Sequence, residues 1–402
     1  VKFHNEAEDD PSLEEKAREE FKKLEDGDEQ NMKLWEWFRK ISLEEVQKTY
    51  DFLGGIHFDH TQGEAFYNDK MDAIIEDGKK KKVFVKGEEG SLIVKFKDDK
   101  YPPYLIQKSD GATLYSTRDL PAIKYRQDTW HPEKILYVVD VAQSLHFQQL
   151  FETADLLGTR ETELVHVVFG RMQFKDSKMS TRKGNIVLLD EVLKEAVKKA
   201  RKIVDEKSMD LKEAEKEKAA HAIGVGAVKY SILSQNRVTN ITFDWDKILS
   251  MDGNSAPYLQ YSYARGKSIL RKALSGTAET PAKEAKKNPE KEQVTLFDAI
   301  ESVKEPHEGA VEPKDAEEKE LRIMRELPKF PEYVALSAAE YKPNILANYL
   351  YALAQKFNTF YNSVPVLQAG DRREERLKLV TAATNVLKNG LLLLGIETLE
   401  RM

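Results

Sequence analysis

The chain has 402 residues, 41% of them hydrophobic and 33% charged, with a formal net charge of −6. That length calls for two or three domains, and the negative balance excludes a generally basic coat for nucleic acid, so any polyanion must meet a local positive patch. The absence of cysteine excludes a disulfide framework and thiolate zinc sites, while an acidic start and the lack of any apolar run of about 18 residues exclude a signal peptide and a membrane span.

Residues 12–40 have helical spacing, with Ser12 and Glu15 placed as a capping box and Gly27 as a break. Ser42-Leu43-Glu44-Glu45 reads as a second helix start. In "GGIHFDHTQGEAFY" the glycines end the helical period. His57-Phe58-Asp59-His60 within it reads as an ordinary turn, too poor in ligands for a metal. "KKVFVKGEEGSLIVKF" predicts a hairpin, two β-branched runs around Gly-Glu-Glu-Gly. Residues 1–100 thus read as an α+β insertion.

Between residues 101 and 250 the pattern changes. "ATLYSTRDLPAIKYR" predicts a short strand entering a helix, "KILYVVD" a strand, "SLHFQQLFETADLLG" a helix and "TELVHVVFG" a buried strand. Strands alternating with helices imply a parallel α/β sheet, which binds ligands beyond the carboxyl ends of its strands. Tyr115, Asp140 to Gln143 and a lysine-rich turn all fall at such ends. From about residue 186 the chain reads helical. Residues 251–402 form a helix bundle by their 3.6-residue period, interrupted by a polar, proline-bearing insertion at about 278–320. No internal repeat is present.

Three groups of residues carry chemistry. Lys178-Met179-Ser180-Thr181-Arg182-Lys183-Gly184-Asn185 lies between a strand and a helix. By charge alone it is either a solvated surface turn or a loop that folds around phosphates and stabilises a leaving pyrophosphate. In "YSTRDL", Tyr115 and Asp119 are spaced i, i+4 and share a helix face. Asp119 is either a helix-start aspartate or a bidentate acceptor for a guanidinium. In the bundle, "YLQYSYARGKSILRK" and "NYLYALAQKFNTFYNSVPVL" mix aromatics with cations. Most of those aromatics read as core. Arg265, Tyr361 and Asn362, the last two at a helix end, are the better candidates for RNA contact.

The lysine-rich turn resembles the KMSKS loop of class I aminoacyl-tRNA synthetases in its arginyl-tRNA synthetase variant, with Thr181 where the second lysine would stand. "LYSTRDLPAIKYR" followed by "ILYVVDVAQSLHFQQLF" resembles the arginine-binding half of that family. The bundle is similar to its DALR-type anticodon-binding domain, as is the ending "LLLLGIETLERM". The resemblance implies the second half of a Rossmann-like class I catalytic domain followed by an all-α domain. It implies arginine on Tyr115, Asp119 and Gln143; His146, in the same segment, reads as a residue that either supports them from behind or packs. It places ATP phosphates on Lys178, Ser180, Arg182 and Lys183, and the nucleotide on Met172, Lys178 and Met179.

The implied reaction activates arginine with ATP and transfers it to the 2′-hydroxyl of its tRNA. Mg²⁺ accompanies ATP; no zinc and no membrane are expected, and a cytoplasmic monomer is the default. A HIGH motif is lacking, since His57 to His60 has no glycine before the second histidine. The chain is therefore expected to be a carboxyl-terminal portion. Two alternatives remain: a tRNA-binding fragment without catalysis, or a related synthetase of the cysteinyl type, which the absence of cysteine disfavours. A P-loop nucleotidase is excluded because no G-x-x-x-x-G-K-[S/T] occurs.

Overall fold

The computed structural model describes residues 2–158, 161–174, 188–207, 211–275 and 313–401. The chain divides into two compact units. One comprises His57–Arg171 with Arg237–Asn240, the other Val1–Ile56, Met172–Asn236 and Ile241–Met402.

The smaller unit opens with α4 (Met71–Lys80), following α1 (Lys2–Asp9), α2 (Ser12–Glu25) and α3 (Glu29–Phe52) of the other unit. The expected hairpin is formed by β1 (Val85–Lys86) and β2 (Leu92–Val94), antiparallel, with Val85 opposite Ile93. A third strand, β3 (Tyr104–Gln107), pairs antiparallel with β2 and places Tyr104 opposite Val94. The strand expected at Ala112–Leu114 is therefore displaced upstream. A turn through Gly111, at φ +83°, intervenes, and Thr113 keeps only a bridge to Gln107. Then come α5 (Tyr115–Trp130), β4 (Lys134–Asp140), α6 (Ser144–Leu157) and β5 (Glu163–Phe169).

β4 and β5 are parallel and in register from Lys134 opposite Glu163 to Asp140 opposite Phe169. One core joins α4, the hairpin sheet, α5 and α6 through Ile74, Val94, Ile106, Ile123 and Leu150, with Tyr137, Val139 and Leu164 of the parallel pair packed against it. Because this core takes residues from both sides of position 100, no structural break falls there. Strands of this type are ordinarily covered on both faces. Here the outward set includes Leu136 and Val138, the latter 66% exposed, so β4 is half-buried rather than enclosed.

In the larger unit α2 and α3 bury no side chain. Gly27, at φ +82°, breaks the helical run as expected. Asp28 then caps α3, its carboxylate accepting from the amides of Gln30 and Asn31 at 3.1 and 3.0 Å. The capping box expected from Ser12 and Glu15 does not form. Asp10 Oδ1 takes the Ser12 amide instead, at 3.1 Å. Ser42 starts no new helix, since α3 runs through it.

β6 (Met172–Phe174) pairs parallel with β7 (Ile241–Phe243), a strand three residues long in a region expected to be helical. Helices α7 (Leu189–Lys207), α8 (Glu213–Leu233) and α9 (Trp245–Ile248) pack into one core with it. The bundle follows as α10 (Ala256–Ser275), α11 (Pro313–Glu326), α12 (Phe330–Ala339), α13 (Pro343–Ser363) and α14 (Arg373–Leu393). Its core holds Tyr263, Tyr349, Phe357 and Phe360, the fate expected of most of its aromatics. The insertion read at 278–320 lies outside the described residues up to 312. Its last residues belong to α11, where Lys319 pairs with Asp315 at 2.6 Å, one helical turn apart. Among the described residues no helix is long and apolar enough to cross a membrane.

Candidate functional site

The site is built at the junction of β3 and α5. Two buried hydroxyls pin the first turn of α5 to the strand: Ser116 donates to the Leu105 carbonyl and Thr117 to the Ile106 carbonyl. Thr117 Oγ1 also accepts from the Leu114 amide at 2.9 Å, satisfying a helix-end donor. The dipeptide Ser-Thr in "YSTRDL" thus fixes the helix start, and Asp119 follows within its first turns.

Asp119 meets α6. Its Oδ2 lies 2.8 Å from His146 Nε2, and His146 Nδ1 lies 3.1 Å from the Tyr104 hydroxyl on β3. Tyr104 is buried, and burial first, then the Asp119 charge, pushes its phenol above the ordinary tyrosine range. Behind this chain Phe147 stacks near His166 with ring centroids 4.4 Å apart, and burial lowers the His166 pKa below its usual value. Tyr137 sits on the same side of the sheet, its hydroxyl 3.1 Å from Arg126 Nη1; burial pushes its phenol up to about 12, against the pull of that guanidinium.

The carboxyl end of β4 is organised by Asp140. Its Oδ1 accepts from the Ala142 amide at 2.7 Å and its Oδ2 from Arg171 Nε at 3.1 Å. The amide first, and the guanidinium second, hold its carboxyl below the usual range. Past β5, Gly170 approaches the Thr239 backbone so closely that a Cβ would stand 2.3 Å from its carbonyl oxygen. The Gly170 amide donates to the Arg237 carbonyl at 2.6 Å. Only glycine fits there, and the strand end is locked to residues 237–240.

The predicted residues fare differently. Asp119 is 39% exposed at its side chain, with Oδ2 held by His146 at 2.8 Å. Gln143 is exposed and closes the short turn Val141–Gln143 that leads into α6, one helical turn before His146. Tyr115 opens α5, and its side chain lies outside the described part. Lys178, Met179, Ser180, Arg182 and Lys183 lie outside the described residues. Met172, assigned to the nucleotide, packs partly buried against the α7–α8 core.

Arg265, Tyr361 and Asn362 do come together, but inward. Arg265 is only 7% exposed. Its guanidinium donates to Asn362 Oδ1 at 3.1 Å and to the Tyr261 hydroxyl at 2.6 Å, and lies 4.3 Å from the Tyr361 ring centre. Its expected availability to a phosphate is corrected: the guanidinium is spent on a buried contact between α10 and α13. Asn362 remains exposed and Tyr361 half-buried.

The ring of His60 stacks on Trp130 with centroids 4.7 Å apart, the packing of an ordinary turn. A cavity of about 610 Å³ lies at the opposite ends of the strands, lined by residues such as Asp77, Lys81, Lys124, Asp128 and His131. Its charges pair with each other, Lys81 with Asp77 at 2.8 Å and Lys124 with Asp128 at 3.0 Å. Parallel sheets place ligands at their carboxyl ends, where β4 leads through Gln143 into α6 and to His146, the partner of Asp119, and not at this cavity. Tyr104 escaped the sequence reading. The signal for it was only the alternation of "YLIQ", which predicts burial; its partner lies 42 residues away.

Residues 1–245 match the family described as tRNA synthetases class I (R), catalytic domain, and residues 259–402 match the DALR anticodon binding domain. The chain belongs to the arginyl-tRNA synthetase family. A protein named arginine–tRNA ligase from Clostridium beijerinckii is 41% identical over 406 residues, covering all of this chain and 66% of its own length. One of the same name from Fusobacterium nucleatum is 42% identical over 404 residues, again with 66% of its length covered. The chain therefore spans just under two thirds of these curated relatives. The solved structure of Thermus thermophilus arginyl-tRNA synthetase superposes with a TM-score of 0.77 at 25% identity, covering 100% of this chain and 69% of that one. The architecture is that of the family: part of a class I catalytic domain with a small parallel sheet, then an all-helical DALR domain.

Proposed function

We propose that this chain supplies the arginine-binding and tRNA-binding parts of an arginine–tRNA ligase. The observation that carries the reading is Asp119, a part-exposed carboxylate whose Oδ2 is held by His146 at 2.8 Å. A guanidinium is a planar fork of donors, and a carboxylate set at a fixed angle matches two of them. Tyr115 and Gln143 complete the arginine site. Lys178, Ser180, Arg182 and Lys183 stabilise the pyrophosphate that leaves as the arginine carboxylate attacks the α-phosphate of ATP, and Met172 and Met179 flank the nucleotide. The activated arginine then passes to the terminal 2′-hydroxyl of its tRNA. Mg²⁺ enters with ATP as part of the substrate. In the bundle, Tyr361 and Asn362 meet the tRNA, and Arg265 holds them from behind. A cytoplasmic location and a monomeric state belong to the same proposal.

The alternative reading is a chain that binds tRNA without catalysing the reaction. Arginine-dependent exchange of pyrophosphate into ATP, with tRNA present, separates the two. Exchange by this chain supports the full activity. No exchange, together with preserved binding of arginine and of arginine-specific tRNA, supports the binding reading. No binding of either ligand would sink both.

A further inference from the structure

We propose that His146 is a positioning residue for the substrate guanidinium, acting through Asp119 in a single tautomer that the carboxylate selects and the Tyr104 hydroxyl supports. The inference deepens the arginine-binding reading and rests on it.

The hydrogen bonds run in one direction. An ionised carboxylate can only accept, so the proton between His146 Nε2 and Asp119 Oδ2, 2.8 Å apart, sits on the nitrogen. In its neutral form the imidazole presents a lone pair at Nδ1, and the atom facing it at 3.1 Å is the Tyr104 hydroxyl. The phenol donates to Nδ1, and Nε2–H donates to the carboxylate. Burial keeps Tyr104 in its protonated, donating form. Were the tautomer reversed, two lone pairs would meet at 2.8 Å between His146 and Asp119, whereas the phenol could serve Nδ1 as acceptor or donor.

Each member is held by a different element. Tyr104 is set by its pairing on β3, Asp119 by the first turns of α5 that Ser116 and Thr117 fasten to that same strand, and His146 by α6. With Oδ2 fixed, the plane of the carboxylate is fixed as well, and Oδ1 with the outer lone pair of Oδ2 is left for a bidentate donor. Histidine suits the place for a further reason. A lysine or arginine there would neutralise Asp119 and compete for the position of the substrate cation. A neutral N–H orients the carboxylate and leaves its charge for the ligand.

Two measurements on the whole chain test this. The first is the ¹⁵N spectrum of histidine-labelled protein, with His146→Gln to assign the signals. The Nε2–H tautomer is expected at His146, with an Nδ1 resonance that moves in Tyr104→Phe. An Nδ1–H tautomer overturns the inference. The second is arginine and ATP affinity in the presence of tRNA. His146→Leu is expected to weaken arginine about tenfold, the scale of losing one hydrogen bond to a charged group, with ATP affinity unchanged. His146→Gln, which returns an N–H near the Nε2 position, is expected to recover most of the loss, and Tyr104→Phe to fall between. A merely structural histidine would weaken both ligands together and gain nothing from glutamine. If Asp119→Asn loses arginine and His146→Leu does not, the inference is overturned while the arginine site stands. If the parent chain does not bind arginine, or Asp119→Asn binds it as the parent does, the arginine site itself is withdrawn and the inference goes with it.

Discussion

Asp119 and Arg265 show two ways of holding a charge. Asp119 keeps a side chain 39% exposed and spends one oxygen on a neutral donor. Arg265 is buried to 7%, with its donors on Tyr261 and Asn362 and its face on Tyr361. The first arrangement leaves a site, and the second closes a joint between helices. A lysine at 265 could not span two acceptors and stack on a ring at once. Arg265→Lys should therefore lower stability by about 1–3 kcal/mol, read from a urea titration. In Arg265→Gln, which removes the charge, the dependence of tRNA affinity on salt should stay as it is, because losing a residue that contacted a phosphate would take about one unit from that slope. A slope reduced by one, with stability unchanged, would return Arg265 to the tRNA surface. Thr117 invites a parallel test. It accepts from the Leu114 amide and donates to the Ile106 carbonyl, so Thr117→Val strands both groups in the interior. A loss of about 1–3 kcal/mol is expected, along with weaker arginine binding as the α5 turn shifts.

At the scale of elements, helix contacts here depend on small residues. α8 reads "AAHAIGVGAVKY", nearly featureless for amphipathic patterning because it is buried on several sides. A Cβ on Gly224 would stand 2.6 Å from the Val197 amide nitrogen of α7, a backbone atom that cannot rotate away. Gly224→Ala should force α7 and α8 apart and cost about 1–3 kcal/mol, more than the helix propensity gained by leaving glycine. An increase in melting temperature would show that α7 yields easily. The β5 strand carries a pH dependence of definite sign. Burial lowers the His166 pKa below the ordinary histidine value of 6.5, so the unfolded chain binds more protons in the window just below that value. Stability then rises with pH through this window and falls on acidification. His166→Gln should flatten that part of the profile, and an unchanged acid limb would assign it to other groups.

The same scale shows what the sequence made legible. Helices, the β1–β2 hairpin and the parallel pair β4–β5 follow from period and β-branching. The third strand β3 does not, because "YLIQ" is short and its partner is set by long-range pairing. The three-residue strand β7 carries too few residues for any period to register. Ser42 shows the reverse error, a capping residue absorbed inside a long helix. Asp119 and Gln143 could be singled out through the family resemblance of their segments, but the Tyr104–His146–Asp119 chain could not. It joins a strand and two helices across 42 residues, and no local pattern encodes a contact of that range.

For the molecule as a whole, charge sets the terms of tRNA binding. A chain of net charge −6 gains no general attraction to a polyanion, so affinity must come from restricted basic surface and from contacts that discriminate. The bundle buries its large aromatics and the Arg265 guanidinium, which leaves Asn362 exposed and Tyr361 half-buried as candidates for direct contact. Phosphate attraction alone would fall steeply with salt and treat all tRNAs alike, whereas base contacts survive moderate salt. Titrating the chain with arginine tRNA and with an unrelated tRNA, between roughly 50 and 200 mM salt, distinguishes these. A preference for arginine tRNA that persists at the higher salt is expected, and Asn362→Ala should reduce that preference while leaving the binding of the unrelated tRNA unaltered. Equal binding of both tRNAs, lost together as salt rises, would mean that the described surface attracts phosphates only, and the recognition role of Tyr361 and Asn362 would fall.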